Sequence, residues 1–142
     1  MELLRELFAE VLVPNAVADE IARHPAVVLD AGLVAGWLKL VTASNRARVD
    51  QIERDVGGRG EAEVISVALE LESAIVLIDE RVARTYARSR GLPVLGTIGV
   101  VLDAKRRGLI ERATPLLDEL RRSGFWLDDA TYRRARELAS EP

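Results

Sequence analysis

The chain has 142 residues, of which 49% are hydrophobic, and this length and composition predict a single domain that can bury its own core. The absence of cysteine excludes a disulfide scaffold, a thiol nucleophile and a cysteine-based zinc site, and favours a reducing cytoplasm. The formal net charge of −3 argues against a broad basic surface, so any nucleic-acid contact must come from a local cluster of positive residues.

The N-terminal part predicts a helix, a strand and a second helix. Apolar residues recur at helical spacing over residues 2–8, and a strand over residues 10–13 follows. Pro14 ends this strand and begins a helix over residues 15–24, because its fixed φ angle is tolerated in a first turn. The N-terminus lacks the basic start of a signal peptide, and no apolar run approaches the roughly 18 residues of a membrane span. We therefore expect a soluble protein.

The middle of the chain alternates between predicted strands and helices. Residues 26–36 are ambiguous, whereas residues 37–42 alternate apolar and polar side chains as a half-buried strand does. An amphipathic helix is predicted over residues 47–56, and a second helix over residues 61–72 has acidic residues in its first turn. Residues 74–78 are apolar throughout, which is typical of a central parallel strand covered on both faces.

The last part of the chain is predominantly helical. A helix over residues 80–90 precedes a short strand over residues 93–96. Three further helices are predicted, with Thr114 and Asp128 or Asp129 as N-caps of the last two: residues 98–108, 114–124 and 128–139. Together the elements predict an α/β fold, a three-layer α/β/α sandwich with a short parallel sheet and a helical C-terminal tail.

Two carboxylates, those of Asp79 and Glu61, lie at positions where such a fold can bind a cation. Asp79 directly follows the strand over residues 74–78, at the sheet edge where α/β proteins bind ligands, and Glu61 opens the preceding helix. Carboxylate oxygens suit Mg²⁺ or Mn²⁺. Each has a structural alternative: Asp79 caps the next helix, Glu61 and Glu63 complement a helix dipole, and Glu20 is a solvated carboxylate.

Four segments, in this order, resemble the PIN-domain superfamily, whose best-known members are the VapC-type toxin ribonucleases: VPNAVADEI, GEAEVISVALE, VLIDERVAR and VLGTIGVVLDAKRRGLI. The resemblance covers most of the chain and points to an uncharacterised branch of predicted nucleic-acid-binding proteins. It implies a Rossmann-like sandwich in which acidic residues hold Mg²⁺ or Mn²⁺ and cut RNA. By this resemblance the catalytic and metal-binding acids are Glu20, Glu61 and Asp79, with Glu63 as the alternative to Glu61.

The chain departs from the family pattern at its start. Family members usually begin with a central strand that ends in an Asp, ahead of a helix like the one over residues 2–8, and here that Asp has no counterpart. Without this strand, an unpaired gap would lie between the strands over residues 10–13 and 74–78. Buried unsatisfied backbone groups cost roughly 1–3 kcal/mol each. Three explanations are open: the true chain is longer, another segment fills the gap, or the protein is a degenerate fragment. We expect the first, a single PIN-like domain over residues 1–142 that is N-terminally shortened.

Several basic residues are candidates for binding the phosphates of RNA. Arg81, Arg84 and Arg88 recur at spacings of three and four after Asp79, and the alternative is a solvated helix surface paired with Glu80. By the resemblance, Thr97 lines the pocket of relatives, although its flanking glycines could equally shape a turn. A denser run, Lys105 to Arg107, is either a basic patch or helix C-terminal charge.

The predicted mechanism is metal-assisted hydrolysis of a phosphodiester, which needs no protein nucleophile. His24 ends a helix beside Pro25, where capping or exposure is expected. Trp37 and Trp126 are too isolated for a base-stacking platform and are expected in the core or at a subunit contact.

The resemblance implies an RNA substrate, a small antitoxin partner and a homodimer. One alternative is a catalytically inactive nucleic-acid-binding or regulatory relic of the same fold. The other, an α/β phosphatase or nucleotide-binding protein, is disfavoured because the chain has neither a GxGxxG nor a GxxxxGK[ST] phosphate loop.

Overall fold

The computed structural model describes residues 2–23, 30–71 and 74–141. In chain order, its elements are α1 (Glu2–Leu7), β1 (Val11–Pro14), α2 (Asn15–Ala22), α3 (Asp30–Val34), β2 (Leu38–Val41), α4 (Arg46–Val56), α5 (Arg59–Glu70), β3 (Val76–Leu77), α6 (Arg81–Ser89), β4 (Val94–Leu95), α7 (Thr97–Arg106), α8 (Thr114–Arg122) and α9 (Asp129–Leu138). They belong to two compact units. We call Phe8–Leu95 the strand unit, and Met1–Leu7 with Gly96–Pro142 the helical unit.

The strands of the strand unit form two parallel pairs. Strand β1 pairs with β2, with Val11 opposite Leu38, and β3 pairs with β4, with Val76 opposite Val94. The four predicted strands and their parallel direction are thus confirmed, and the α/β class with them. The structure has two separate two-stranded sheets, however, where one short sheet was predicted. No hydrogen-bonded pairing joins β1 to β3 in the described part of the chain.

The apolar segment over residues 74–78 forms a shorter strand than predicted. Val76 and Ile78 are buried, at 2% and 6% exposure, whereas Ile75 is 52% exposed. Burial therefore begins at Val76, where pairing with β4 begins. The Ile78 N–H extends this pairing by donating to the Leu95 carbonyl oxygen at 3.1 Å, and Asp79 follows immediately.

The predicted helices are confirmed, with small shifts of their ends. Helix α4 ends at Gly57, whose φ angle of +87° is in the left-handed region that glycine adopts without steric cost. The ambiguous stretch contains the short helix α3, which its sequence pattern did not reveal. The predicted helix ends at His24 and Glu72 lie outside the described residues. No helix in the described ranges combines the length and the apolar character that crossing a membrane requires.

Each unit buries its own hydrophobic core. In the strand unit the largest fully buried apolar side chains are Val49 and Ile52 of α4 and Ile65 of α5, each at most 1% exposed, so the packing of α4 on α5 is its centre. In the helical unit, Leu117 of α8 is fully buried among residues of α7 and α9, including Ala135.

Helix α8 begins with a cap that the sequence did not predict. Thr114 is the first helical residue, and Ala113 at the N-cap position has no side-chain acceptor. The carboxylate of Glu141 replaces it: Oε1 accepts from the Ala113 N–H at 2.7 Å, and Oε2 from the Thr114 N–H at 2.9 Å and its hydroxyl at 2.5 Å. At the start of α9, the Asp128 carboxylate accepts from the Thr131 N–H at 2.9 Å, so Asp128 rather than Asp129 is the cap.

Candidate functional site

Glu20 lies against the first turn of α5. Gly60, in that turn, is buried, and a Cβ atom added to it would lie 3.0 Å from Oε1 and 3.2 Å from Oε2 of Glu20. These atoms are the nearest neighbours that such a Cβ would have. Glycine at position 60 therefore leaves the space that the Glu20 carboxylate occupies, although the two residues are far apart in the sequence.

Glu61 lies on the same turn. Its side chain is half-buried and folds back onto the backbone of Gly58, which is the N-cap of α5. The structure thus brings the carboxylates of Glu20 and Glu61 to the start of one helix. Among the described residues, neither carboxylate has a hydrogen-bond donor or an ion-pair partner. Both are therefore available to an external cation.

Neighbouring acids in the same unit are engaged by the protein instead. Arg59 donates to Glu63 Oε1, and also pairs with Asp50 and Glu53 of α4. The other oxygen of Glu63, Oε2, accepts from the Ala16 N–H at 2.9 Å. Glu63 therefore has a structural role, and the geometry favours Glu61 over Glu63 as the acid that faces a ligand. Glu70 is likewise occupied, because it accepts from backbone N–H groups that precede α4.

Asp79 is exposed at the end of the β3 pairing. The structural alternative, that it caps the next helix, does not hold, because the N-cap of α6 is Glu80. The Glu80 carboxylate accepts from the Ala83 N–H at 2.7 Å, and this hydrogen bond lowers the pKa of Glu80. Within the residues that the structure describes, no three His, Asp or Glu side chains lie close enough together to hold one metal ion. The structure therefore brings Glu20 to the α5 start but does not bring all three predicted acids into one cluster.

The predicted phosphate-binding arginines project from α6. Arg81 and Arg88 are exposed, whereas Arg84 is half-buried and its Nε atom has no hydrogen-bond partner in the described structure. No ion pair links these arginines to Glu80 in the described ranges. The alternative interpretation, a solvated helix surface, had assumed such pairs. Thr97 is the first residue of α7, in the helical unit.

The basic run before Gly108 is engaged within its own unit. Arg106 pairs with Asp103, and Arg107 Nη2 lies 2.8 Å from the other oxygen of the same carboxylate. Lys105 Nζ lies 3.9 Å from Glu141 Oε1. The hydrogen bonds from both arginines lower the pKa of Asp103. These residues are therefore positive charges at the C-terminal end of α7, which was the alternative to a basic patch for binding RNA.

The two tryptophans differ in their environment. Trp37 is half-buried, and its ring lies against Gly32, where an added Cβ would be 3.1 Å from Cζ2. Trp126, between α8 and α9, is 83% exposed. Trp37 is therefore partly enclosed, whereas the exposure of Trp126 rules out a core position for it, and its alternative, a subunit contact, stays a prediction.

Sequence reasoning missed the contacts that shape this site. The signal that could have revealed them is the RGEAE run over residues 59–63, in which a glycine is followed by two acids of the same helical turn. A glycine inside a helix start costs stability relative to alanine, so its presence suggests that something approaches it closely.

One of the comparisons with known proteins gave a match. A family model described as a PIN domain matches residues 1–141, nearly the whole chain. Neither the curated proteins nor the solved structures gave a match. The family match agrees with the resemblance and with the α/β class, and the chain belongs to the PIN-domain family.

Proposed function

We propose that the protein is an endoribonuclease that depends on Mg²⁺ or Mn²⁺, with Glu20, Glu61 and Asp79 as its catalytic, metal-binding acids. The observation that carries this proposal is that Glu20 of α2 lies against the first turn of α5, which carries Glu61, and that neither acid has a hydrogen-bond or ion-pair partner among the described residues. Side-chain carboxylates are generally solvated, paired or bound to a cation. Two carboxylates beside one helix start form a donor set of the hard oxygen type that these cations prefer.

The donor set fits a divalent cation in its chemistry, because both side chains offer carboxylate oxygens. Gly60 has no Cβ atom, so the Glu20 carboxylate can approach the first turn of α5, with its oxygens 3.0 and 3.2 Å from where a Cβ atom would be. When bound, Mg²⁺ or Mn²⁺ would supply charge stabilisation and an activated water for phosphodiester hydrolysis. The protein's own part is to hold the acids: Glu20 and Glu61 at the start of α5, and Asp79 at the end of the β3 pairing.

The RNA would contact the surface of α6. Arg81 and Arg88 are exposed and Arg84 is half-buried on this helix, which directly follows Asp79 and Glu80. Guanidinium groups bind phosphate oxygens through several donors at once. We assign them to holding the RNA backbone.

The family supports a wider biological proposal. A PIN-type ribonuclease of this size could act as the toxin of a toxin–antitoxin pair, as a cytoplasmic homodimer restrained by a small antitoxin protein. The second candidate function is a catalytically inactive nucleic-acid-binding or regulatory relic of the same fold. It shares the acids and the basic helix but predicts weak metal binding and no RNA cleavage.

Metal removal tests the proposed function. We expect the purified chain to cut a mixed-sequence single-stranded RNA when Mn²⁺ or Mg²⁺ is present, and EDTA to stop this cleavage until the cation is restored. Mn²⁺ binding is measured by calorimetric titration, and cleavage by gel analysis of a labelled RNA. RNA binding and Mn²⁺ binding without cleavage would support the inactive relic. Cleavage that persists in EDTA would contradict the proposal.

Gly60→Ala is expected to weaken Mn²⁺ binding without lowering the stability of the fold. Alanine favours a helix over glycine by about 1 kcal/mol, so the thermal unfolding temperature should not fall. The new methyl group would press on the Glu20 carboxylate and shift it by a few tenths of an ångström. We expect Mn²⁺ to bind several-fold more weakly.

The control for this substitution is the same change made together with Glu20→Ala. With the carboxylate gone, Gly60→Ala should cause no further loss of Mn²⁺ affinity, because the two changes act through one contact. Equal Mn²⁺ affinity of Gly60→Ala and the wild type would show that the Glu20 carboxylate does not take part in binding.

A further inference from the structure

The start of α2 is held by a side chain of α5. Pro14 occupies the N-cap position of α2, and its ring offers no acceptor to the unpaired N–H groups of the first helical turn. Glu63 supplies the acceptor instead, at 2.9 Å from the Ala16 nitrogen. A carboxylate at this position also complements the positive end of the helix dipole. Helix α2, which carries Glu20, is therefore capped by a residue 47 positions away.

Glu63 is in turn held by Arg59. Arg59 Nε lies 3.4 Å from Glu63 Oε1, and Arg59 Nη1 donates to Asp50 Oδ1 at 2.7 Å and to Glu53 Oε2 at 2.8 Å. Asp50 and Glu53 belong to α4, so one guanidinium group joins α4 to α5. The Glu63 side chain is only 14% exposed, and its position is thus set from two sides.

This contact sets the register of α2 on α5. Ala16 and Glu20 are four residues apart, so they lie one turn apart on the same face of α2. Their contacts on α5, Glu63 and Gly60, are three residues apart and therefore also one turn apart. As α2 advances by a turn, its contact moves back by a turn along α5, so the two helices run antiparallel here. A shift of α2 at Ala16 would accordingly displace Glu20 from Gly60.

We propose that Arg59 and Glu63 act as a positioning pair that holds the Glu20 carboxylate on the first turn of α5, so that Glu20 and Glu61 bind one divalent cation together. The inference rests on the proposed function. Arg59 and Glu63 contact neither Glu20 nor the cation directly. They act through the register of α2, and Arg59 acts through Glu63.

The test uses the full chain and compares two carboxylates of α5, each of which caps the start of another helix. Glu63→Ala removes the carboxylate that caps α2. The control, Glu70→Ala, removes a carboxylate at the other end of α5, which caps the start of α4. Glu70 accepts from the N–H groups of Ser44 and Asn45, at 3.4 and 3.3 Å, and within the described ranges it has no hydrogen bond or ion pair with α2. Both variants lose a carboxylate that caps a helix, so a general effect on stability appears in both.

The readouts are amide hydrogen exchange in Asn15–Ala22 and Mn²⁺ affinity by calorimetric titration. For Glu63→Ala, we expect α2 to exchange about fivefold faster, the effect of a lost helix cap, and Mn²⁺ to bind roughly tenfold more weakly. Glu70→Ala should change neither readout. Glu63→Gln keeps an acceptor for the Ala16 N–H but loses the ion pair with Arg59, so it should recover most of the α2 protection.

Each contrary outcome has a distinct meaning. Unchanged exchange of α2 in Glu63→Ala overturns the cap and the inference with it, whether or not the protein binds Mn²⁺. Faster exchange with wild-type Mn²⁺ affinity overturns the positioning role but leaves the proposed function standing. A wild-type chain that binds no Mn²⁺ overturns the proposed function and the role of the pair toward the metal, while the exchange data still report on the cap.

Discussion

Asp79→Asn is expected to lower the rate of Mn²⁺-dependent RNA cleavage by at least about 100-fold while the protein stays folded. Asparagine has nearly the same shape as aspartate but carries no charge, so a cation loses one of its charged oxygen ligands. The loss of one group that stabilises charge in a transition state typically costs 10²–10³-fold in rate. The measurement is the rate of cleavage of a labelled RNA at saturating Mn²⁺, with circular dichroism to verify the fold.

The neighbouring residue provides a matched control for Asp79→Asn. Glu80 is equally exposed and adjacent, but its carboxylate caps α6 through the Ala83 N–H. Glu80→Gln keeps an oxygen acceptor for that N–H, so its cleavage rate should remain close to that of the wild type. Glu61→Gln should behave like Asp79→Asn, because both acids are proposed ligands. Undiminished cleavage by Asp79→Asn would remove this residue from the mechanism.

Glu141→Gln is expected to destabilise the fold by about 2 kcal/mol at pH 7, the usual scale for hydrogen bonds to a charged group. The carboxylate is buried at 8% exposure and serves three donors of Ala113 and Thr114. An amide can present only one oxygen to them, and its NH₂ group would face a second donor. The buried Ala113 N–H or the Thr114 N–H would then lose its acceptor. Chemical unfolding followed by circular dichroism measures the change.

The effect of Glu141→Gln should depend on pH in a defined direction. The hydroxyl of Thr114, and then the N–H groups of Ala113 and Thr114, lower the pKa of Glu141 from 4.5 to about 2. A lowered pKa stabilises the fold wherever the carboxylate is charged in both states, so the full contribution is present above about pH 4.5. It is lost as the pH falls from 4.5 through 2. The difference between wild type and variant should therefore shrink over this window.

Glu137, near the C-terminal end of α9, provides the control for Glu141. Glu137 is 65% exposed and, in the described part of the chain, pairs with Arg134 on its own helix surface and with no other residue. Exposed pairs contribute little, so Glu137→Gln should leave the unfolding midpoint nearly unchanged at every pH. A stability difference between Glu141→Gln and wild type that stays constant from pH 7 to pH 2 would contradict the assigned cap.

Local sequence patterns were sufficient for most of the fold. Helices such as α4 and α9 follow from apolar spacing together with their terminal residues, Gly57 and Asp128, which act within a few positions along the chain. The four strands were predicted for the same reason. The pairing of strands was not: two separate parallel pairs form where one sheet was predicted, because pairing depends on segments that are distant in the sequence.

The candidate site was predicted as a set of residues but not as a geometry. Glu20, Glu61 and Asp79 were identified from the family resemblance and from their places beside helices and strands. That Glu63 serves as a cap, that Gly60 makes room for Glu20, and that Glu80 rather than Asp79 caps α6 required coordinates. Acids near one another in the sequence have the same chemistry. A carboxylate with a structural role is distinguished from the others by the N–H groups that it accepts from, and these are visible only in the structure.

The sequence by itself determined the α/β class, the order of its helices and strands and the family to which the chain belongs. These features depend on side-chain periodicity and on short motifs, which are properties of neighbours along the chain. The tertiary structure decided which acids are occupied. The contacts of Glu63 with Ala16 and of Glu141 with Ala113 span 47 and 28 positions. Such contacts form only after helices pack, because packing alone brings a carboxylate to the open start of a distant helix.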